Sequence, residues 1–209
     1  MEFFLQNPGE IEKRSFEIIT RELGNMKFKT SIHEHIVKRV IHTTADFSFA
    51  EILEISGEAV EKGVDSLKKG AGIVTDTNMA KAGINKRLVK KLGGSVACYV
   101  AHEDVAETAR RKGITRSMAA IEKAIQEPNN KIFVIGNAPT ALFWLKKQIE
   151  ENKVKPDLII GVPVGFVGAA ESKEAIKHTG IPYIITRGRK GGSNVAAAIV
   201  NALLYCTDP

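Results

Sequence analysis

The stretch Arg-Val-Ile-His-Thr-Thr-Ala-Asp-Phe, residues 39–47, sets a histidine where an amphipathic segment runs out, with two threonines and an aspartate behind it. A free imidazole titrates at about pH 6.5, so it can give or take a proton near neutrality. Winding residues 32–42 as a helix places Ile32, Ile36, Val37, Val40 and Ile41 on one side and His35, Lys38, Arg39 and His42 on the other. A hydrogen-bonded core histidine fits that wheel poorly. Two readings of His42 stay open: a helix-end histidine favoured by the dipole when protonated, and a proton-active group facing a ligand.

Two glycine-rich turns offer different chemistry. Val-Pro-Val-Gly-Phe-Val-Gly-Ala-Ala-Glu-Ser-Lys-Glu-Ala (162–175) runs from a strand into a helix, and Gly-Arg-Lys-Gly-Gly-Ser-Asn (188–194) repeats the theme with Arg189 and Lys190. Closely spaced glycines let a helix N-terminus approach an anion, although they serve tight helix–sheet packing equally well. Neither turn matches the phosphate loop G-x-x-x-x-G-K-[ST] or the dinucleotide pattern G-x-G-x-x-G. Arg116 and Ser117 stand at a helix start in 113–120, and Asn137 and Thr140 surround a proline-opened helix in 135–143. Each of these reads as an N-cap or as a polar lining. Ser15 lies within the apolar face of the first helix, where it either bonds back to its own helix or points into a cavity. Asp46 and Asp76 are isolated acids after threonines. Paired carboxylates, a Cys/His metal cluster and a Ser–His–Asp order do not stand out.

The elements that must position these residues follow from short apolar runs bounded by turn residues, at 71–76, 95–100, 131–137, 157–163 and 182–187. They are rich in Val and Ile without strict alternation, as strands covered on both faces are. Helical patterns separate them, over roughly 78–92, 103–126, 138–151, 165–178 and 192–205. Such alternation predicts an α/β fold with a doubly wound parallel sheet of five strands and helices on both faces. Two or three helices fill residues 8–69 without an obvious strand, opened by Asn7-Pro8-Gly9-Glu10 and by a capping box at Ser31-Ile32-His33-Glu34. The expectation is a single domain over 1–209, with a helical extension over about 1–69 and an α/β core over about 70–209. In such sheets ligands bind beyond the carboxyl ends of the strands, where strand order reverses. The residues there are small, polar or glycine-rich, which predicts a wide polar mouth.

Composition narrows the partners. With 209 residues, 44% hydrophobic and 26% charged, the chain is an ordinary globular protein, and no apolar run approaches the roughly 20 residues of a membrane helix. The N-terminus turns acidic and helical too early for a signal peptide. Cys98 and Cys206 lack metal or redox spacing, which suits a reduced cytoplasmic setting. The formal charge of +6 comes with only 6% aromatic residues, so a solvated basic face or an anionic small molecule is favoured over nucleic acid. The residues alone thus lead to a basic α/β protein with a cleft for an anionic small molecule, and name no reaction.

The motifs, taken in order, resemble the precorrin-8X methylmutases of corrin-ring biosynthesis. They are Arg-Ser-Phe at 14–16, Val-Ile-His-Thr-Thr-Ala-Asp-Phe at 40–47, the 71–79 segment, Thr-Arg-Ser at 115–117, and the stretches 135–143, 162–175 and 187–194. The His-Thr-Thr-Ala-Asp form looks like the cobalt-dependent, anaerobic branch. The resemblance implies a flavodoxin-like sheet, a homodimer, and migration of a methyl group from C-11 to C-12 of a contracted tetrapyrrole. It implies no protein-bound metal or organic cofactor, any cobalt arriving inside the substrate. His42 corresponds to the histidine proposed to donate and accept the proton. Arg14, Ser15, Arg39, Thr43, Arg116, Ser117, Asn137, Thr140, Lys173 and Arg189 fall in matching motifs and are the expected substrate contacts. Implied partners are the acidic tetrapyrrole and neighbouring corrin-pathway enzymes receiving the product. The rivals are a non-catalytic corrinoid carrier and a nucleotide-binding α/β protein.

Overall fold

A computed structural model describes residues 7–207. Helices α1 (Pro8–Leu23), α2 (Ser31–Thr44) and α3 (Phe49–Ile52) lead into strand β1 (Leu53–Ile55) and helix α4 (Ala59–Lys68). Alternation follows through β2 (Gly72–Thr75), α5 (Asn78–Gly83), α6 (Lys86–Lys91), β3 (Ser95–Ala97), α7 (Glu103–Lys112) and α8 (Arg116–Ala124). It ends with β4 (Asn130–Ile135), α9 (Pro139–Glu150), β5 (Leu158–Gly161), α10 (Ala169–Ile176), β6 (Tyr183–Thr186) and α11 (Ser193–Tyr205).

The sheet is mixed and six-stranded, in the order β1-β6-β5-β4-β2-β3. That corrects the expectation of five parallel strands. The five expected runs do pair parallel with one another, but β1 lies antiparallel on the edge beside β6, in the segment read as purely helical. Only three residues form it, too few for a periodic signal. Contacts distant in sequence hold it: Lys177 pairs with Glu54 at 2.8 Å, and the Tyr183 hydroxyl donates to the same carboxylate at 2.9 Å.

Why the strands read as unbroken apolar runs is now plain. In β4, Ile132 and Val134 join the core beneath α2, α4 and α11, while Phe133 and Ile135 join the core beneath α8, α9 and α10. Both faces are dry, so the two-residue period carries no polar partner. Within α2, Ile36, Val37, Val40 and Ile41 are buried against α11, as the helical wheel requires.

Helix boundaries shifted where capping side chains interrupt the pattern. The 78–92 segment breaks into α5 and α6 at Asn85, whose side chain accepts from the Leu88 N–H at 3.2 Å. The 103–126 segment breaks into α7 and α8 at Gly113, with φ 64°, and Thr115 then caps α8 through the Met118 N–H. Thr30 caps α2, accepting from the His33 N–H at 3.0 Å, one residue ahead of the expected Ser31. Among the described residues no helix is long and apolar enough to cross a membrane.

Candidate active site

Strand order reverses between β2 and β4, so the crevice at their carboxyl ends is the topological switch point. Asp76 stands there, 5% exposed. Its carboxylate accepts from three successive backbone N–H groups: Gly136 at 2.9 Å, Asn137 at 2.8 Å and Ala138 at 2.7 Å. Burial pushes the Asp76 carboxyl up from its ordinary value, and the three N–H donors pull the other way. The loop it holds presents the exposed side chains of Asn137 and Thr140 at the start of α9. Thr115 donates to Thr140 at 3.2 Å, which brings the Arg116–Ser117 end of α8 alongside.

The two glycine-rich turns do meet at the same end of the sheet. Gly192 N–H donates to Val162 O at 2.9 Å, and Gly165 N–H donates to Arg189 O at 3.1 Å. At Gly191 a side chain is impossible without moving backbone, because a Cβ would stand 2.1 Å from the Val162 carbonyl oxygen. Arg189 reaches over the Phe166 ring, 5.4 Å from its centre. Beside it, Val164, Phe166 and Val167 form an apolar tip, the last two exposed by 83% and 90%.

His42 occupies the last turn of α2, which closes on Ala45 in a left-handed conformation at φ 53°. It is exposed, and it lines a pocket of about 260 Å³ with Arg39, Thr43, Gly83, Asn194, Asn201 and Tyr205. Its ring is packed against α1. Phe16 of α1 stacks on it at 5.2 Å between centroids with 24° between planes. Arg39 lies between aromatic rings, 4.7 Å from the centre of Phe16 and 4.6 Å from that of Tyr205, and pairs with Glu12. Its Nε is buried without a partner. The arginine therefore builds the wall behind His42 before it meets any ligand.

A second tether fixes the end of α2. Lys190 donates to Asp46 at 2.6 Å and to the Ser48 hydroxyl at 2.7 Å, so the turn after His42 is tied to the second glycine-rich loop. The Lys190 ammonium, then the Ser48 hydroxyl and N–H, hold the Asp46 carboxyl at about 2 instead of 3.8. A carboxyl whose folded value lies below its unfolded one stabilises the fold above the unfolded value and loses that contribution as pH falls towards the folded one. Asp46→Asn should therefore flatten part of the fall in melting temperature between pH 4 and pH 2. Parallel slopes for wild type and variant in thermal melts across that window would remove Asp46 from the acid response.

Not every expected contact joins this assembly. His42, Arg39 and Thr43 share one pocket. Arg116 lines a separate one of about 420 Å³ with Arg110, Gly113 and Ile114. Arg14 pairs with Glu17 at 3.0 Å on the exposed side of α1. Ser15 donates to Ile11 O at 2.8 Å, which decides in favour of a bond back to its own helix. Lys173 departs most from the sequence reading: it is 0% exposed, with its ammonium on three protein oxygens. A group that never reaches the surface cannot touch a ligand in this arrangement. Phe16, Asn194, Asn201 and Tyr205 were missed. A signal for the last three existed, because Asn194, Ala198, Asn201 and Tyr205 make a helical stripe of 4, 3 and 4 residues' spacing along an otherwise apolar α11. No group of three or more His, Cys, Asp or Glu capable of holding a metal occurs among the described residues.

Comparisons with known proteins point to one family. The sequence model of the precorrin-8X methylmutase family matches residues 10–206. A cobalt-precorrin-8 methylmutase of Salmonella typhimurium is 53% identical, with 97% of each chain covered. A precorrin-8X methylmutase of Pseudomonas aeruginosa is 39% identical, with 96% of each covered. The crystal structure of a precorrin-8X methyl mutase from Thermus thermophilus superposes with a TM-score of 0.87 at 36% identity, covering 95% of this chain and 96% of that one.

Proposed function

The chain belongs to the precorrin-8X methylmutase family, and we propose that His42 is the acid–base group of its reaction on an acidic contracted tetrapyrrole. The enzyme is an isomerase of cobalamin biosynthesis: it moves a methyl group from C-11 to C-12 of the ring, giving cobyrinic or hydrogenobyrinic acid. The observation that carries the role of His42 is its placement, exposed in a pocket yet stacked on Phe16 and walled by Arg39.

The chemistry asks little of the protein beyond placement. An intramolecular shift gains and loses no atoms, so any proton given to the ring must be recovered when the methyl group has moved. One histidine held at the ring edge can do both halves of that exchange. Its surroundings must then hold a large anionic substrate in one pose. Arg189 offers a fork suited to the peripheral acetate and propionate groups, and Arg116, in its separate pocket, a second one for a substrate wide enough to span both. Asn137, Thr140, Thr43 and Ser117 supply smaller hydrogen-bonding groups, and Arg39 tunes the His42 pocket.

The cobalt form is the favoured substrate, because the Salmonella typhimurium relative at 53% identity is a cobalt-precorrin-8 methylmutase while the Pseudomonas aeruginosa precorrin-8X methylmutase stands at 39%. The reading assigns no resident cofactor; cobalt enters and leaves with the substrate. It also takes the flavodoxin-like parallel core and its helical extension as one domain of a cytoplasmic homodimer that passes product to the next corrin enzyme. The exposed apolar tip at Phe166 and Val167 supports a partner surface. Incubation with precorrin-8 made with and without cobalt, followed by absorbance and mass, tests the whole. The expected outcome is a changed spectrum at constant mass, faster for the cobalt form. Tight binding with no spectral conversion would instead make the protein a carrier.

A further inference from the structure

Two charged side chains are buried among the described residues, Asp76 and Lys173. Asp76 has its three N–H donors, but Lys173 forms no ion pair among the described residues. Its Nζ donates to Lys190 O at 3.0 Å, Pro163 O at 3.1 Å and Thr186 Oγ1 at 3.3 Å, all neutral oxygens. Among the described residues no carboxylate pairs with it. An ammonium withdrawn from water is strongly unfavourable unless hydrogen bonds and an opposite charge replace the solvent. Here the hydrogen bonds are present, and the one opposite charge that acts on the ammonium, Glu174, makes no ion pair with it.

Its location gives the omission meaning. Pro163 follows β5 and Lys190 follows β6, so one ammonium grips both glycine-rich loops at the mouth of the sheet. The neighbouring residue Arg189 reaches outward from the second loop, and the Lys190 side chain runs to Asp46 behind His42. We propose that Lys173 is a positioning residue for carboxylate recognition: it locks the two loops into one unit that presents Arg189, and its charge, which reaches no ligand directly, favours from beneath a substrate carboxylate held by that unit. The inference deepens the methylmutase reading and rests on it for the substrate class.

The charged groups near Lys173 come from two segments. Glu171 and Glu174 flank it on α10 with Lys177 just beyond, Arg187, Arg189 and Lys190 stand on the segment after β6, and the 162–168 loop carries none. Burial pushes the Lys173 ammonium down to about 8, with Glu174 pulling weakly upward. An arriving carboxylate favours the charged form, so substrate binding near pH 8.5 should draw a fraction of a proton onto the protein. That pH lies well above the range of an ordinary histidine.

The test uses the full chain with cobalt-precorrin-8. Lys173→Met keeps length and apolar bulk while removing the charge. It should raise KM and Kd tenfold or more, lower kcat at saturation by less than threefold, and abolish the proton uptake seen as buffer-dependent binding heat in wild type. A folded Lys173→Met protein with KM within twofold of wild type would overturn the proposal, and so would absence of proton uptake by the wild type. The second measurement stands even where the variant fails to fold. A wild type that binds the corrinoid without converting it defeats the methylmutase reading instead, and the binding and proton measurements still judge Lys173.

Discussion

His42→Ala is expected to slow methyl migration by about 10²–10⁴-fold, the usual contribution of one positioned acid–base group, with corrinoid affinity within a few-fold of wild type. The split follows from geometry. His42 lies on the exposed side of α2, whereas the buried residues of that helix are Ile36, Val37, Val40 and Ile41. Removing the imidazole therefore opens no core cavity and strands no buried polar partner. The carboxylate-binding groups assigned to the substrate, Arg189 and Arg116 above all, lie on other elements and stay in place. Single-turnover absorbance measurements separate binding from conversion. Conversion by His42→Ala at the wild-type rate would transfer the proton role to another group. Loss of binding in parallel with rate would instead make His42 a contact.

Asp76→Ala should have the largest effect on stability. It leaves the N–H groups of Gly136, Asn137 and Ala138 without their acceptor in a buried crevice. An unsatisfied buried donor costs about 1–3 kcal/mol, so the three together should cost roughly 3–5 kcal/mol, allowing for relaxation of the partly exposed Asn137. For a chain of this size that corresponds to a fall in melting temperature of roughly 6–20 °C. Activity should drop as well, since the same loop carries Asn137 and leads to Thr140. Asp76→Asn keeps one acceptor oxygen and should lose about half as much. A melting temperature for Asp76→Ala within 2 °C of wild type, on the same scale of about 2–4 °C per kcal/mol, would show that the loop does not depend on this carboxylate.

Asp76 and Lys173 illustrate how far the sequence could be followed. Asp76 read as an isolated acid after a threonine, and Lys173 as a substrate contact in a glycine-rich motif. Their partners are mostly backbone atoms outside their own element: residues 136–138 for Asp76, and Pro163 and Lys190 for Lys173. Backbone carbonyls and N–H groups belong to every residue, so no residue type marks them in advance. Phe16 was hidden for a related reason: an aromatic on an amphipathic helix reads as core packing, and only the crossing of α1 over α2 sets its ring on His42. Strand β1 was lost because three residues cannot display a period.

What local signals did establish is considerable. Five apolar runs separated by helical periodicity were enough for an α/β sheet buried on both faces, because strand and helix periods are written in neighbouring residues. The wheel of α2 likewise put His42 on the outer side of its helix, since that face depends only on a period of 3.6 residues. The ordered motifs supplied the family. Folding then sorted the expected contacts: it gathered His42, Thr43 and Arg39 around one pocket, turned Ser15 back on its own helix, and buried Lys173 beneath two loops. Those outcomes depend on how crossovers converge at the mouth of the sheet. Contacts between residues far apart in the chain leave no local pattern, so packing alone could separate a residue that meets the substrate from one that holds the loop beneath it.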